Sequence, residues 1–237
     1  MGEPVVSREC GVDYGTGQVL DIYVPGTTQG SVAVLLWHGS GANERDVLEP
    51  MARRIAGSGV RVLVPDWSTD DGANGRNHLT TSLLFARQSL SETGSVDRVV
   101  LAGWSLGASA ALDLVRHPEL VDGWRPTALV GISGGFNRSP FSQNEWRSSS
   151  VDPSIPLLLV HGSSDEVVPP ERSVVTGARL LEEGWHVTLR EVATDHAGAI
   201  GTVFDPTRHR CVATEDPGRR DVLTTVAEAI AHLALKG

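Results

Sequence analysis

Short apolar runs recur along this chain, each the length of one strand and separated from the next by a helix-length segment. They are Val32–Trp37 (VAVLLW), Arg61–Pro65 (RVLVP), Arg98–Ala102 (RVVLA), Thr127–Ile132 (TALVGI), Leu157–His161 (LLLVH) and His186–Glu191 (HVTLRE). Most are apolar throughout and do not alternate, which is how strands buried on both faces read. Val5–Cys10 and Gln18–Val24 form an earlier pair, expected as a hairpin with Gly15 and Gly17 in its turn. Helical spacing links Leu79, Leu83, Ala86 and Leu90, then Ala108, Ala111, Leu112 and Val115, then Val222, Val226, Ile230 and Leu233. Pro50 suits a first helical position, and Gly57 and Gly59 suit the end of that short helix. Strand and helix in alternation build a mostly parallel sheet covered on both faces. No internal repeat or linker interrupts the pattern, so residues 1–237 are expected as one α/β domain. Gly134–Pro153, rich in Ser and Asn, and Phe204–Arg220, rich in Pro and Arg, read as loops.

Composition narrows the function classes. A net charge of -9 argues against nucleic-acid binding and gives no attraction to anionic membranes. No run approaches the roughly 18 apolar residues of a membrane span, so no membrane anchor is expected. The opening MGEPVVSRECGVDYG lacks the basic and apolar regions of a secretory signal, and a cytoplasmic location is the expectation. Cys10 and Cys211 are then free thiols, a bridge between them being the alternative. Metal spacings such as H-E-x-x-H or paired cysteines are absent, as are the glycine-rich phosphate cradles. No metal and no cofactor are expected.

In parallel sheets, ligands gather at the carboxyl ends of the strands. Gly103-Trp104-Ser105-Leu106-Gly107 directly follows RVVLA and precedes the small-residue helix LGASAALDLVRHP. Strand, G-x-S-x-G and helix make a nucleophile elbow. Its turn is too tight for flanking side chains, and it lifts a serine hydroxyl over the sheet while aiming a helix N-terminus at developing negative charge. Gly131-Ile132-Ser133-Gly134-Gly135 has the same five-residue pattern, but no helix comes after it. Ser105 is therefore the candidate nucleophile and Ser133 a strand end near it.

This order of motifs resembles the α/β-hydrolase superfamily, close to its small esterases and dienelactone-hydrolase-like serine hydrolases, over nearly the whole chain. The resemblance implies a mostly parallel eight-stranded sheet with an antiparallel leading strand and helices on both faces. No long insertion comes after Thr127–Ile132, so no large lid domain is expected. His161-Gly-Ser-Ser-Asp165-Glu-Val-Val-Pro169 is similar to the turn that presents the family's acid, and Asp165 is the implied orienter of the base. Glu166 and Asp152 are weaker candidates; a helix-capping role for Asp165 suffers from its distance from Pro170. Asp195-His196-Ala197-Gly198 resembles the loop that carries the family's base, which assigns that role to His196. His209 is an alternative of unclear anchoring.

Trp37-His38-Gly39-Ser40-Gly41 resembles the H-G-G-G segment of esterases, with Ser40 in place of the second glycine. The implied oxyanion donors are the N–H groups of Ser40 and Leu106. His38 then braces the loop, with Gly39, Gly41, Gly103, Trp104 and Gly107 in support. Trp104 and Trp67 are candidates for pocket walls. The expected activity is a serine esterase that cleaves carboxylic esters of small to medium acyl chain through an acyl-enzyme. Acyl transfer, thioester or amide cleavage on the same triad is the alternative, and a non-catalytic binding protein of the same fold the more distant one.

Overall fold

The computed structural model describes residues 5–15, 17–27, 32–70, 72–91, 98–142, 146 and 153–236. Eight strands form one sheet: β1 (Val6–Asp13), β2 (Val19–Pro25), β3 (Val32–Trp37), β4 (Arg61–Pro65), β5 (Arg98–Trp104), β6 (Ala128–Ile132), β7 (Leu157–Gly162) and β8 (Val187–Val192). Their spatial order is β1-β2-β4-β3-β5-β6-β7-β8. From β4 to β8 every neighbour is parallel. Strand β2 runs antiparallel to both β1 and β4, so the antiparallel element is the second arm of the leading hairpin. A register shift between Glu9 and Val12 accompanies the positive φ of Gly11.

The helices are α1 (Glu49–Gly57), α2 (Arg76–Ser91), α3 (Leu106–Arg116), α4 (Glu171–Glu182) and α5 (Pro217–Lys236). Alternate residues of the central strands point to opposite sides. Val32, Val34 and Leu36 pack with Met51 and Ile55 of α1 and Val226 and Ile230 of α5. Ala33, Leu35 and Trp37 pack with Leu79 and Leu83 of α2, Ala111 and Leu114 of α3 and Leu180 of α4. All of β3 is buried, which explains why its sequence shows no alternation.

The strands expected from the sequence are all present, β3 and β4 with the expected bounds and the others with ends moved by up to three residues. One expectation fails. Phe204–Arg220 is not a plain loop: β9 (Thr202–Asp205) pairs antiparallel with β10 (Arg210–Ala213), and α5 starts at Pro217. Four-residue strands carrying charged ends give almost no periodic signal. The stretch Gly134–Pro153 holds no helix or strand among its described residues, and Asp152 lies outside them.

The sheet turns back on itself at β3. The chain passes from β3 to β4 on one side and then crosses to β5 on the other. Such a switch opens a crevice at the carboxyl ends of the two central strands. There the first turn of α3 lies on the end of β3. A Cβ at Gly107 would stand 2.4 Å from the His38 carbonyl oxygen and 2.6 Å from that of Trp37. One at Gly103 would stand 2.3 Å from the Gly107 carbonyl. These neighbours are backbone in a packed core and cannot swing aside. Gly177 in α4 differs, since a Cβ there meets side chains at 3.8 and 3.9 Å, an ordinary contact. Gly107→Ala is expected to lower the unfolding free energy by about 1–3 kcal/mol through overpacking. Gly177→Ala is expected to leave it unchanged or raise it by up to about 1 kcal/mol through helix propensity. Urea denaturation of both variants checks the contrast.

Candidate active site

Ser105 sits between the last residue of β5 and the first of α3, at φ 56° and ψ -119°. A non-glycine residue with this backbone carries about 1–3 kcal/mol of strain and persists only where its surroundings hold it. Three main-chain bonds do so: Ser105 N–H donates to Ile132 O at 2.8 Å, and Ser105 O accepts from Ala108 N–H at 3.1 Å and Ser109 N–H at 3.4 Å. The residue stays partly exposed and lines a cleft of about 580 Å³. Ser133 also has positive φ, 49°, but is wholly buried at the end of β6. Its hydroxyl has no hydrogen-bond partner among the described residues, and Ser133 does not line the cleft. The two G-x-S-x-G matches thus differ in access as well as in the element that each leads into.

The loop after β7 brings Asp165 against His196. Its side chain is fully buried and accepts from Val167 N–H at 3.0 Å and Val168 N–H at 2.8 Å through one oxygen. Asp165 therefore does cap a local turn, in addition to facing the imidazole. Its other oxygen lies 2.7 Å from His196 Nδ1 and 3.3 Å from His161 Nε2. Burial pushes the carboxyl up, but hydrogen bonds from His161, His196 and Val168 N–H outweigh it and hold the group well below the usual carboxylate range. His161 Nε2 faces two acceptors, Asp165 and Val168 O at 2.9 Å, so it carries the proton. Its Nδ1 then accepts from the Ser173 hydroxyl at 2.6 Å. The sequence puts His161 at a strand end and gives it no role; the fold makes it a second donor to the buried carboxylate.

His196 is held by its backbone and its ring. Trp104 Nε1–H donates to His196 O at 3.1 Å, and the two rings lie 4.9 Å apart. The preceding Asp195 is gripped in bidentate fashion by Arg219 of α5, with both contacts at 2.6 Å, and accepts from Gly198 N–H. The Arg219 hydrogen bonds hold the Asp195 carboxyl below its ordinary range, against burial. Arg219 also donates to Thr202 O, which ties α5, the His196 loop and β9 together. Nothing local in the sequence marks Arg219 for this task.

The segment after β3 arrives from the other side. Gly39 is buried against the Trp104 ring and Ser105, where a Cβ would approach to 3.2 and 3.3 Å. Ser40 is exposed in the cleft wall, and Gly41 is next to it there. Leu106 is the first residue of α3, so its N–H is one of those a helix leaves without an internal partner. His38 is fully buried and stacked on Trp67 at 5.4 Å. Its Nε2 accepts from Trp67 N–H at 3.1 Å, so Nδ1–H donates to Gly39 O at 3.0 Å. Burial, with the charge of Arg45 adding to it, pulls this imidazole down to about 3 despite the Gly39 bond. It is a neutral brace, and Trp67 serves that brace instead of lining the cleft. Behind it, Arg45 pairs with both Asp21 and Asp66. Another wall is the β9–β10 hairpin, from the stretch that follows the His196 loop, which contributes Phe204, His209, Arg210 and Cys211. Cys10 and Cys211 are both free thiols. Among the described residues no cluster suited to a metal ion occurs, and no helix is long and apolar enough to cross a membrane.

The brace has a consequence for pH. The unfolded chain binds a proton at His38 near the ordinary histidine value, the folded chain only near 3. Stability contributed by neutral His38 is present above that ordinary value and is lost as pH falls between the two. The slope approaches about 1.4 kcal/mol per pH unit for one proton. His38→Gln is expected to flatten the stability profile between pH 6 and pH 4 by about one proton, as measured by denaturant unfolding across pH.

Known proteins resemble this chain in sequence or in fold. The serine hydrolase (FSH1) family matches residues 58–191, a span that contains Ser105 and Asp165 and stops short of His196. Esterase YjfP of Escherichia coli (strain K12) is 29% identical over 192 residues, covering 64% of this chain and 75% of that protein. The uncharacterized protein Rv2307c of Mycobacterium tuberculosis (strain ATCC 25618 / H37Rv) is 31% identical over 186 residues, covering 66% of this chain and 62% of that protein. A truncated carbohydrate esterase from gut microbiota superimposes with a TM-score of 0.69 at 13% identity, covering 100% of this chain and 99% of that one. The Pyrobaculum calidifontis esterase superimposes with a TM-score of 0.70 at 16% identity, covering 99% and 87%. The eight-stranded sheet, the elbow at Ser105 and the family match agree: the chain has the α/β-hydrolase fold and belongs to the serine hydrolase (FSH1) family.

Proposed function

We propose that this chain hydrolyses small carboxylic esters through an acyl-enzyme, with Ser105 as nucleophile, His196 as general base and Asp165 orienting the imidazole. The observation that carries the reading is the 2.7 Å contact between His196 Nδ1 and Asp165, behind a cleft into which the elbow holds Ser105. A carboxylate held ionised can only accept, so Nδ1 bears the proton and Nε2 keeps its lone pair for the serine. The Escherichia coli relative is named an esterase, which supports the same bond type. The cleft volume of about 580 Å³ suits a small molecule with a short to medium acyl chain.

In the proposed reaction, His196 Nε2 takes the Ser105 proton as Oγ bonds to the ester carbon. The carbonyl oxygen becomes an anion, which the N–H groups of Ser40 and Leu106 receive. Each such donor is worth about 2.7–4 kcal/mol in the transition state. Collapse breaks the bond to the alkoxy group, which leaves with the proton from His196. Water then attacks the acyl-enzyme with His196 again as base, releasing the acid and restoring Ser105.

Turnover of p-nitrophenyl acetate and butyrate, with release of free acid, tests this reading. Ser105→Ala, His196→Ala and Asp165→Asn are each expected to lower kcat on the order of 10⁴-fold or more. Full activity in Ser105→Ala with loss in Ser133→Ala would overturn it. Predominant transfer of the acyl group to an added alcohol or amine would replace hydrolysis by acyl transfer.

A further inference from the structure

Glu44 takes no part in the acyl-enzyme steps, yet its carboxyl group stands in the cleft wall beside the Ser40 loop. A Cβ at Gly41 would fall 2.0 Å from the Glu44 carboxyl carbon and 2.3 Å from each of its oxygens, so the group lies directly on that loop. Among the described residues its side chain has neither hydrogen-bond nor ion-pair partner. The cation within reach of its charge, Arg210, is engaged by Asp46 at 2.5 Å. Arg219 is taken up by Asp195. Burial, with Asp46 adding to it, pushes the Glu44 carboxyl up despite Arg210. Cys211, which pairs across the hairpin with Phe204, lines the same cleft as Glu44. Phe204 keeps 54% of its surface exposed and lines the same cleft.

A half-buried carboxylate without a partner is costly, and a neutral substrate would strip more water from it without repayment. It also sets a negative charge near the place where the oxyanion forms. A positive charge on the substrate answers both costs, and an aromatic face in the same cleft as a carboxylate is a suitable seat for one. We infer that Glu44 and Phe204 form a cation subsite, and that the preferred ester carries an ammonium group on the arm lying along the Ser40 loop. The inference rests on the ester-hydrolase reading of the cleft.

Butyrylcholine and its carbon isostere 3,3-dimethylbutyl butyrate separate charge from shape. The wild-type enzyme is expected to favour the cationic ester in kcat/KM by about tenfold or more, the scale of one desolvated charge contact. In Glu44→Gln that ratio is expected to fall toward one. Because it compares two substrates on one preparation, the ratio is independent of the folded fraction. If neither ester is turned over, the same ratio is read from their inhibition constants against p-nitrophenyl acetate. A wild-type ratio near one, or a ratio in Glu44→Gln within twofold of wild type, overturns the subsite. Ser105→Ala run in parallel keeps the two readings apart. Loss of turnover there with no cation preference removes only the subsite, whereas retained turnover removes the hydrolase reading.

Discussion

The backbone of α3 touches the backbone of β3 at Gly107, and the rest of the site is arranged around that contact. It leaves no room for a side chain between the first turn of the helix and the carbonyls of Trp37 and His38. Ser105, at its positive φ, comes immediately before this helix, Ser40 comes shortly after the strand, and both line the cleft. Strain at Ser105, glycine at 103 and 107, and burial of Gly39 against Trp104 are therefore one constraint seen at several residues. The two core layers supply the rigidity, because β3 and β5 are buried on both faces and cannot yield.

A second theme is how the fold sets the charge of its buried polar groups. Asp165 lies in a buried position yet stays ionised, because two imidazoles and two main-chain N–H groups surround it. His38 is buried with one donor and one acceptor and stays neutral. His161 is fixed in one tautomer by Val168 O and Ser173. The three histidines at strand and loop ends thus have separate duties, set by what each ring nitrogen faces. Of the three, His196 alone lines the cleft.

Much of this is legible in the sequence, for identifiable reasons. Strands buried on both faces write themselves as unbroken apolar runs, and turns that forbid a Cβ write themselves as glycine. Ser105, Asp165 and His196 each lie within a few residues of a strand's carboxyl end and are readable from position. The helix after Ser105 favours it over Ser133, and the buried hydroxyl of Ser133 adds a separate reason. The hidden features depend on contacts distant in sequence. Arg219 anchors Asp195 from another helix, and Glu44 meets the cleft through a loop lying on glycine. The β9–β10 hairpin has strands too short for a period to register.

On the proposed mechanism, Ser105 is the one reactive serine of this cleft. Incubation with a fluorophosphonate followed by peptide mapping tests this directly, since such reagents phosphonylate a serine only when a base has activated it. A single adduct is expected, on the peptide that contains Ser105. An adduct on Ser133 or any other residue, or an unmodified Ser105 in a preparation that hydrolyses esters, would contradict it.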